Sequence, residues 1–234
     1  MIEEEHFEPD NTARIKEVFA SIQGEGPYIG AKQLFIRFCS CNLRCHYCDT
    51  DFEGECDEYT PEKLMEVIEQ FDLKTIYSVS LTGGEPLLSV DFLEKILPIL
   101  KENHLKIYLE TNATLPEELK RIIDYIDVIA ADIKLESATG MMSSFDLHDI
   151  FFDVCKGHEC FAKIVFDDNI TDEEIDKCIE LAEKYHLLLI LQPKMLEDQM
   201  TVTSVFAVKV LDKFLKKYNK VRLIPQVHKF LAIR

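Results

Sequence analysis

The sequence predicts an α/β fold in which βα units surround a parallel sheet, either as a full or partial barrel or as an open doubly wound sheet. Two observations lead there. Apolar runs of strand length alternate with amphipathic stretches almost to the C-terminus, and the chemically unusual residues sit at or just beyond the ends of those runs. The 234 residues, 47% of them apolar, can bury one substantial core, so a single domain over 1–234 is expected, its acidic head frayed as far as about residue 11.

The strand-like runs are 33–38, 75–81, 106–109, 128–131, 162–166, 187–191 and 221–224. The segments between them carry helix start signals. Thr60-Pro61 places an N-cap before a first-turn proline. Thr171-Asp-Glu-Glu174 reads as a capping box, followed by Ile175, Cys178, Ile179 and Ala182 at helical spacing. Segments 89–103, 115–125 and 204–218 have the same patterning. Residues 136–160 match no motif and read as a loop and a core-facing helix, with a dimer contact as the alternative.

A net charge of −17 and a pI near 4.8 disfavour a nucleic-acid binder, which needs clustered Lys and Arg. A small substrate or a protein partner is expected instead. No apolar run reaches the length of a membrane span, and the N-terminus is too acidic for a signal or transit peptide, which implies a cytoplasmic protein without a membrane partner. The eight cysteines then read as metal chemistry in a reducing compartment rather than as a disulfide framework.

Six groups fall at strand ends: Cys41/Cys45/Cys48, Thr82-Gly-Gly-Glu-Pro86, Glu110-Thr-Asn112, Asp132-Ile-Lys134, Gln192-Pro193 and Pro225-Gln-Val-His228. The carboxyl ends of parallel strands form the functional face of α/β folds, so these groups are expected to converge on one rim. Cys41-x3-Cys45-x2-Cys48 offers three thiolates on one short loop, enough to hold three irons of a [4Fe–4S] cube and leave the fourth open. A structural zinc would need a fourth ligand, with only His46 or Cys39 nearby. Cys39 reads as a small buried thiol, Cys178 as core, and Cys56, Cys155 and Cys160 as ordinary side chains. Gly24 and Gly26 in Ser21-Ile-Gln-Gly-Glu-Gly26 suit a hairpin turn between two apolar runs.

The Cys motif, followed one helix and one strand later by Gly83-Gly84-Glu85-Pro86, resembles the radical S-adenosylmethionine (SAM) superfamily. The resemblance implies a partial or modified (βα) TIM-like barrel, with SAM contacted by Gly84, Glu85, Asn112, Asp132, Lys134 and Gln192. Three further segments narrow it: Phe19-x-Ser-Ile-Gln-Gly-Glu-Gly-Pro-Tyr-x-Gly30 with Phe35-Ile-Arg37-Phe, Cys-Asn-Leu-Arg-Cys-x-Tyr-Cys-Asp-Thr50, and Arg222-Leu-Ile-Pro225-Gln-Val-His228. Together they are closely similar to the QueE family, the 7-carboxy-7-deazaguanine synthases of 7-deazapurine (queuosine and archaeosine) biosynthesis.

That resemblance implies ring contraction of 6-carboxy-5,6,7,8-tetrahydropterin to 7-carboxy-7-deazaguanine with loss of ammonia. The reduced cluster cleaves SAM to a radical that takes hydrogen from C6 of the pterin, and SAM is regenerated. Ile22, Gln23, Gly24, Glu25, Arg37, Thr82 and His228 would form the substrate site, Arg37 clamping the carboxylate in a bidentate fork. Thr50 would be a Mg²⁺ ligand. A flavodoxin or ferredoxin would supply electrons, and the family implies a homodimer. Departures from the pattern are Asp132-Ile-Lys134 where many relatives carry Ser-Pro-Lys, and Ala113 where they carry Gly. Asp-Ile-Lys also resembles the activating enzymes of glycyl radical proteins, which leaves that reading, and a zinc-stabilised binding module, as alternatives.

Overall fold

In the computed structural model the described residues are 11–48, 55–196 and 198–233. The fold opens on β1 (Ala13–Ile22), a strand absent from the runs above, which pairs antiparallel with β2 (Lys32–Phe38) across the Gly24–Gly30 turn. After the short β3 (Asp57–Tyr59), helices and strands alternate. They are α1 (Pro61–Ile68), β4 (Ser78–Gly83), α2 (Val90–Glu102), β5 (Ile107–Thr111), α3 (Pro116–Ile122), β6 (Val128–Asp132), α4 (Glu136–Thr139), α5 (Phe145–Val154), β7 (Cys160–Phe166), α6 (Asp172–Tyr185) and β8 (Leu188–Pro193). A small hairpin of β9 (Met195–Leu196) and β10 (Gln199–Met200), then α7 (Ser204–Leu215), β11 (Val221–Leu223) and α8 (Val227–Phe230), complete the described chain.

The helix signals act as their chemistry dictates. The Thr60 hydroxyl accepts from the Lys63 amide ahead of Pro61, and Thr171 and Glu174 form the reciprocal capping box of α6. Thr75, the first residue of the strand-like run 75–81, instead ends a turn of 3₁₀ helix over Leu73–Thr75 that delivers the chain to β4 at Ser78.

Strand order in the nine-stranded sheet is β11-β8-β7-β6-β5-β4-β2-β1-β3, and all neighbours from β2 to β11 are parallel. Each new parallel strand joins the same edge. A doubly wound sheet reverses its strand order at a switch point, and no reversal occurs among the parallel strands. Right-handed crossovers then put the helices on one face, and the sheet curls as a barrel that stays open between the β11 and β3 edges.

Side-chain alternation divides the strands into two sets. Leu34, Ile36, Val79, Leu81, Ile107, Leu109, Ile129, Ala131, Ile164 and Leu189 join the core under the helices. The opposite parity faces the concave side, where Tyr108, Val128, Ala130, Phe161 and Ile190 plug the lower part. The last concave residue of each strand is therefore Arg37, Thr82, Glu110, Asp132, Val165 or Gln192, with Lys163 in register beside Asp132.

One cysteine expectation needs correction. Cys39 and Cys56, read as a buried thiol and an ordinary side chain, are joined in a disulfide. The reason is topological: Ile15 pairs with Phe38 on one side and Asp57 on the other, which brings the adjoining residues within a Cα–Cα distance of 6.5 Å. The bond closes the loop that carries the three motif cysteines. Cys56→Ser is expected to lower unfolding stability by about 3 kcal/mol, the chain-entropy value for a loop of roughly this length. Denaturant titration without reductant measures the loss. In dithiothreitol the variant and the unchanged protein should coincide, and a difference persisting there would assign the loss to packing rather than to the cross-link.

Candidate active site

A cavity of about 220 Å³ opens at the carboxyl ends of the strands. Its walls bring together nearly all the residues singled out in the sequence. Ile22, Gln23, Gly24, Glu25, Arg37, Thr82 and His228 line it together with Cys41, Cys45, Cys48, Gly84, Asn112, Asp132, Lys134 and Gln192. Glu85 lies behind the wall, and Thr50 lies outside the described residues.

The cluster loop is held from two sides. Gly84 N–H donates to Phe38 O at 2.9 Å and Glu85 N–H to Ser40 O at 2.6 Å, tying the end of β4 to the stem of the loop. A Cβ on Gly84 would stand 2.0 Å from Ser40 O, and one on Gly83, at φ +107°, 2.4 Å from Phe38 O. The Gly-Gly pair thus permits close packing of two backbones as well as an open approach to the cavity. On the other side, His46 N–H donates to Thr139 O at 3.0 Å and Arg44 N–H meets Met141 Sδ at 3.2 Å. Segment 136–142, motifless in the sequence, is a brace for this loop.

Among the described residues, no three of His, Cys, Asp and Glu converge on one ion-sized point. The three thiols nevertheless line one cavity. Three thiolates are the number a [4Fe–4S] cube takes when one iron is left open, whereas a structural zinc takes four ligands. Burial pushes the Cys41 and Cys45 thiols above their ordinary range, so binding a cluster would displace protons. The Leu43 amide at 3.4 Å and Asn112 Nδ2 at 3.8 Å already point at Cys41 Sγ, the kind of donor contact that tunes a ligating sulfur. Gln192 Oε1 is buried without a hydrogen-bond partner, and Asp132 Oδ1 is likewise unbonded, facing only Lys163 Nζ at 3.3 Å. Cavity-lining groups left in this condition fit a site shaped for a polar ligand.

Glu85 is 1% exposed, and its carboxylate accepts from Thr111 Oγ1 at 2.9 Å, the Asn112 amide at 2.7 Å and the Leu87 amide at 3.2 Å. Burial raises its pKa to about 7 against the pull of those donors. It shapes the Thr111–Asn112 turn from behind. Lys134 Nζ sits 2.6 Å from Asp132 Oδ2 and 3.2 Å from the Tyr47 hydroxyl. Burial alone would lower its pKa, but Asp132, with Tyr47 and Cys45 beside it, raises it well above the ordinary lysine range.

The opposite wall is where the turn between β1 and β2 meets residues 226–228. Val227 N–H donates to Gly24 O at 2.9 Å, and His228 packs so closely that a Cβ on Gly24 would stand 2.3 Å from its Nδ1. Gln23 Nε2 donates to Gln33 Oε1 at 3.0 Å and Glu110 Oε1 at 2.9 Å, and Thr82 Oγ1 donates to Glu110 Oε2 at 2.6 Å. Glu25 accepts from Gln226 Nε2 at 2.7 Å, from Gln192 Nε2 at 3.2 Å and from the Lys163 ammonium. Burial pushes the Glu25 carboxyl up, but Lys163, Gln226 and His228 outweigh it and hold the pKa at about 2. Arg37 Nε is 2.8 Å from Glu17, with the guanidinium 5.6 Å above the Phe19 ring.

The match to known proteins follows this geometry. The radical SAM superfamily model matches residues 35–185. The 7-carboxy-7-deazaguanine synthase of Geobacter sulfurreducens is 35% identical over 244 residues, covering 94% of this chain and 97% of its own length. The Archaeoglobus fulgidus protein of the same name is 34% identical, with coverage of 95% and 99%. The chain belongs to the 7-carboxy-7-deazaguanine synthase family of radical SAM enzymes. Crystalline QueE from Escherichia coli shares the fold, with a TM-score of 0.65 at 19% identity over 93% of this chain and 95% of that one. A [4Fe–4S] cluster and SAM are the cofactors of this family, and neither the superfamily model nor these synthases favour the glycyl-radical activase or zinc-module alternatives.

Sequence reasoning gave no role to Glu110, Lys163, Gln226 or Tyr47. Glu110 and Gln226 stand inside quoted motifs. Lys163 interrupts an apolar strand at a concave-facing position, a signal that strand parity alone exposes. Among the described residues no helix is long and apolar enough to cross a membrane.

Proposed function

We propose that this enzyme converts 6-carboxy-5,6,7,8-tetrahydropterin to 7-carboxy-7-deazaguanine with loss of ammonia, on a single radical SAM domain. The observation that carries the reading is the near-full-length similarity to synthases of that name, on a chain whose segments 22–25 and 226–228 line one cavity with three cluster-type cysteines. When bound, the cluster held by Cys41, Cys45 and Cys48 and its SAM supply the one-electron chemistry that removes and returns a hydrogen.

The chain's own residues bind and orient. Glu25, ionised at any working pH, accepts hydrogen bonds from the amide and amino edge of the pterin, with Gln23 beside it and Ile22 and Gly24 shaping the turn. Glu110 fixes both Gln23 and Thr82, so the substrate meets a preset donor–acceptor pattern. Arg37 takes the substrate carboxylate and His228 closes the pocket over Gly24. Lys134 is assigned to the SAM carboxylate, Asn112 to its ribose, Gln192 to its adenine and Gly84 to the amino end. Asp132 acts chiefly as the counterion that orients Lys134. Thr50 is assigned to Mg²⁺ together with substrate oxygens and water.

A homodimer, a flavodoxin or ferredoxin as electron donor, and a cytoplasmic location complete the reading. In that compartment the Cys39–Cys56 bond stands against a reducing glutathione pool, so the reduced pair is the expected resting form there.

The test is anaerobic incubation of the reconstituted, reduced protein with SAM, Mg²⁺ and the carboxytetrahydropterin, with products followed by mass. The expected result is 7-carboxy-7-deazaguanine without stoichiometric consumption of SAM. Release of 5′-deoxyadenosine with the pterin untouched would keep the superfamily chemistry and overturn the substrate.

A further inference from the structure

His148 lies on α5, in a segment to which the proposed reaction assigns nothing, and it is 0% exposed. Its ring is inserted between the ends of β5 and β6. Nδ1 is 3.1 Å from Ala113 O, and Nε2 accepts from the Lys134 amide at 3.2 Å. A carbonyl on one side and an N–H on the other admit one neutral tautomer, with the proton on Nδ1. Burial keeps the ring neutral, lowering its pKa to about 4 despite the Ala113 carbonyl.

The β5–β6 ladder ends at Thr111↔Ala131, and beyond it the two chains part. The imidazole replaces the missing rung, pairing a donor and an acceptor that would otherwise be buried unsatisfied. Ala113 adds to the need for it. This residue has φ +57°, a left-handed conformation costly for a non-glycine residue, and it is fully buried. Thr111 Oγ1 holds its N–H at 3.1 Å and His148 holds its carbonyl. The residue preceding Ala113 is Asn112, and the residue His148 holds on the other strand is Lys134.

We propose that His148 is a positioning residue that locks Asn112 and Lys134 into one register, so that the ribose and carboxylate groups of SAM meet a preformed pair of contacts. The proposal rests on the assignment of this cavity wall to SAM. It predicts that the donor–acceptor pair of the ring matters, and not only its bulk.

The experiment is calorimetric titration of SAM into anaerobically reconstituted protein bearing its cluster, comparing His148→Leu, which keeps apolar volume, with His148→Gln, which keeps a donor and an acceptor. The Leu variant is expected to raise the SAM Kd at least tenfold, about 1.4 kcal/mol, and the Gln variant by no more than about threefold. Cys178→Ala, a core truncation on the apolar face of α6, is the comparator: it should lower the thermal midpoint and leave the SAM Kd alone. A Leu variant with unchanged Kd, or a Gln variant as weak as Leu, would overturn the proposal. Should the Leu variant fail to fold, amide exchange in the unchanged protein decides: the Lys134 amide is expected to be protected as a core amide without SAM, and rapid exchange there would overturn it. No SAM affinity in the unchanged protein would instead sink the assignment of the wall, and this proposal with it.

Discussion

Replacing any one of Cys41, Cys45 and Cys48 with Ala is expected to abolish SAM cleavage and the brown iron–sulfur colour, whereas Cys178→Ala should retain both. The contrast follows from position. The first three thiols share one cavity, and the loop bearing them is braced by Phe38, Ser40 and Thr139 backbone groups, so each thiolate is held in its own place and its loss leaves one iron of the cube without its ligand. Cys178 is 0% exposed on the apolar face of α6, where truncation leaves a small cavity worth roughly 1 kcal/mol and touches nothing in the site. Iron analysis, the visible spectrum and 5′-deoxyadenosine release measure the outcome. Iron retained in a ligand variant with SAM cleavage intact would refute the assignment of that cysteine.

The sequence made the rim of the sheet legible and left its interior obscure, for a physical reason. Motifs at strand ends are punctuated by Gly, Pro, Cys and Asn, which stand out from apolar runs, so Cys41–Cys48, Gly83–Glu85 and Asn112 were readable and the structure brings them together. Lys163 does not stand out that way, and Glu110, although part of the strand-end group Glu110-Thr-Asn112, carried no sign of its own role. They are single polar residues inside strands, and only the alternation of faces places them beside Asp132 and Gln23. Periodicity left a partial barrel and a doubly wound sheet both open; the superfamily resemblance pointed to the barrel, and the strand order bears it out. The Cys39–Cys56 pairing needed the register of β1 with both flanking strands. Segment 136–160 was legible as a loop and a core-facing helix, which α5 with its buried Phe151 and Phe152 is, but its part beside the site was not, because that work is done by backbone groups at Thr139 and by one buried imidazole.

The same concave parity explains how the two halves of the site are tied. Lys163 lies between Glu25, on the wall assigned to substrate, and Asp132, which in turn holds Lys134 on the wall assigned to SAM. The result is a line of four alternating charges across the cavity, Glu25, Lys163, Asp132 and Lys134. Such lines are costly to interrupt, since removing one member leaves a buried charge uncompensated.

Glu25→Gln is therefore expected to lower kcat/KM for the pterin by about 10²- to 10³-fold, as a charge-assisted contact to substrate is lost and Lys163 is left short of a partner. With the Lys163 and Glu25 side chains only 12% and 15% exposed, the stability loss should reach roughly 3 kcal/mol, or about 10 °C in thermal midpoint. Lys163→Met should cost similar stability, because it leaves Glu25 without its cation and Asp132 with Lys134 alone. The informative variant is the double one. Glu25→Gln with Lys163→Met removes both charges together, so much of the stability should return while activity does not, a coupling that summed single effects would miss. The pH dependence has a fixed sign. The folded pKa of Glu25 is depressed from 4.5 to about 2, so its stabilising contribution is complete above pH 4.5 and fades as pH falls towards 2. In Glu25→Gln that part of the acid limb should vanish from the unfolding profile. Recovery of both stability and turnover in the double variant would show that the pair serves the fold alone and that the pterin edge is held elsewhere.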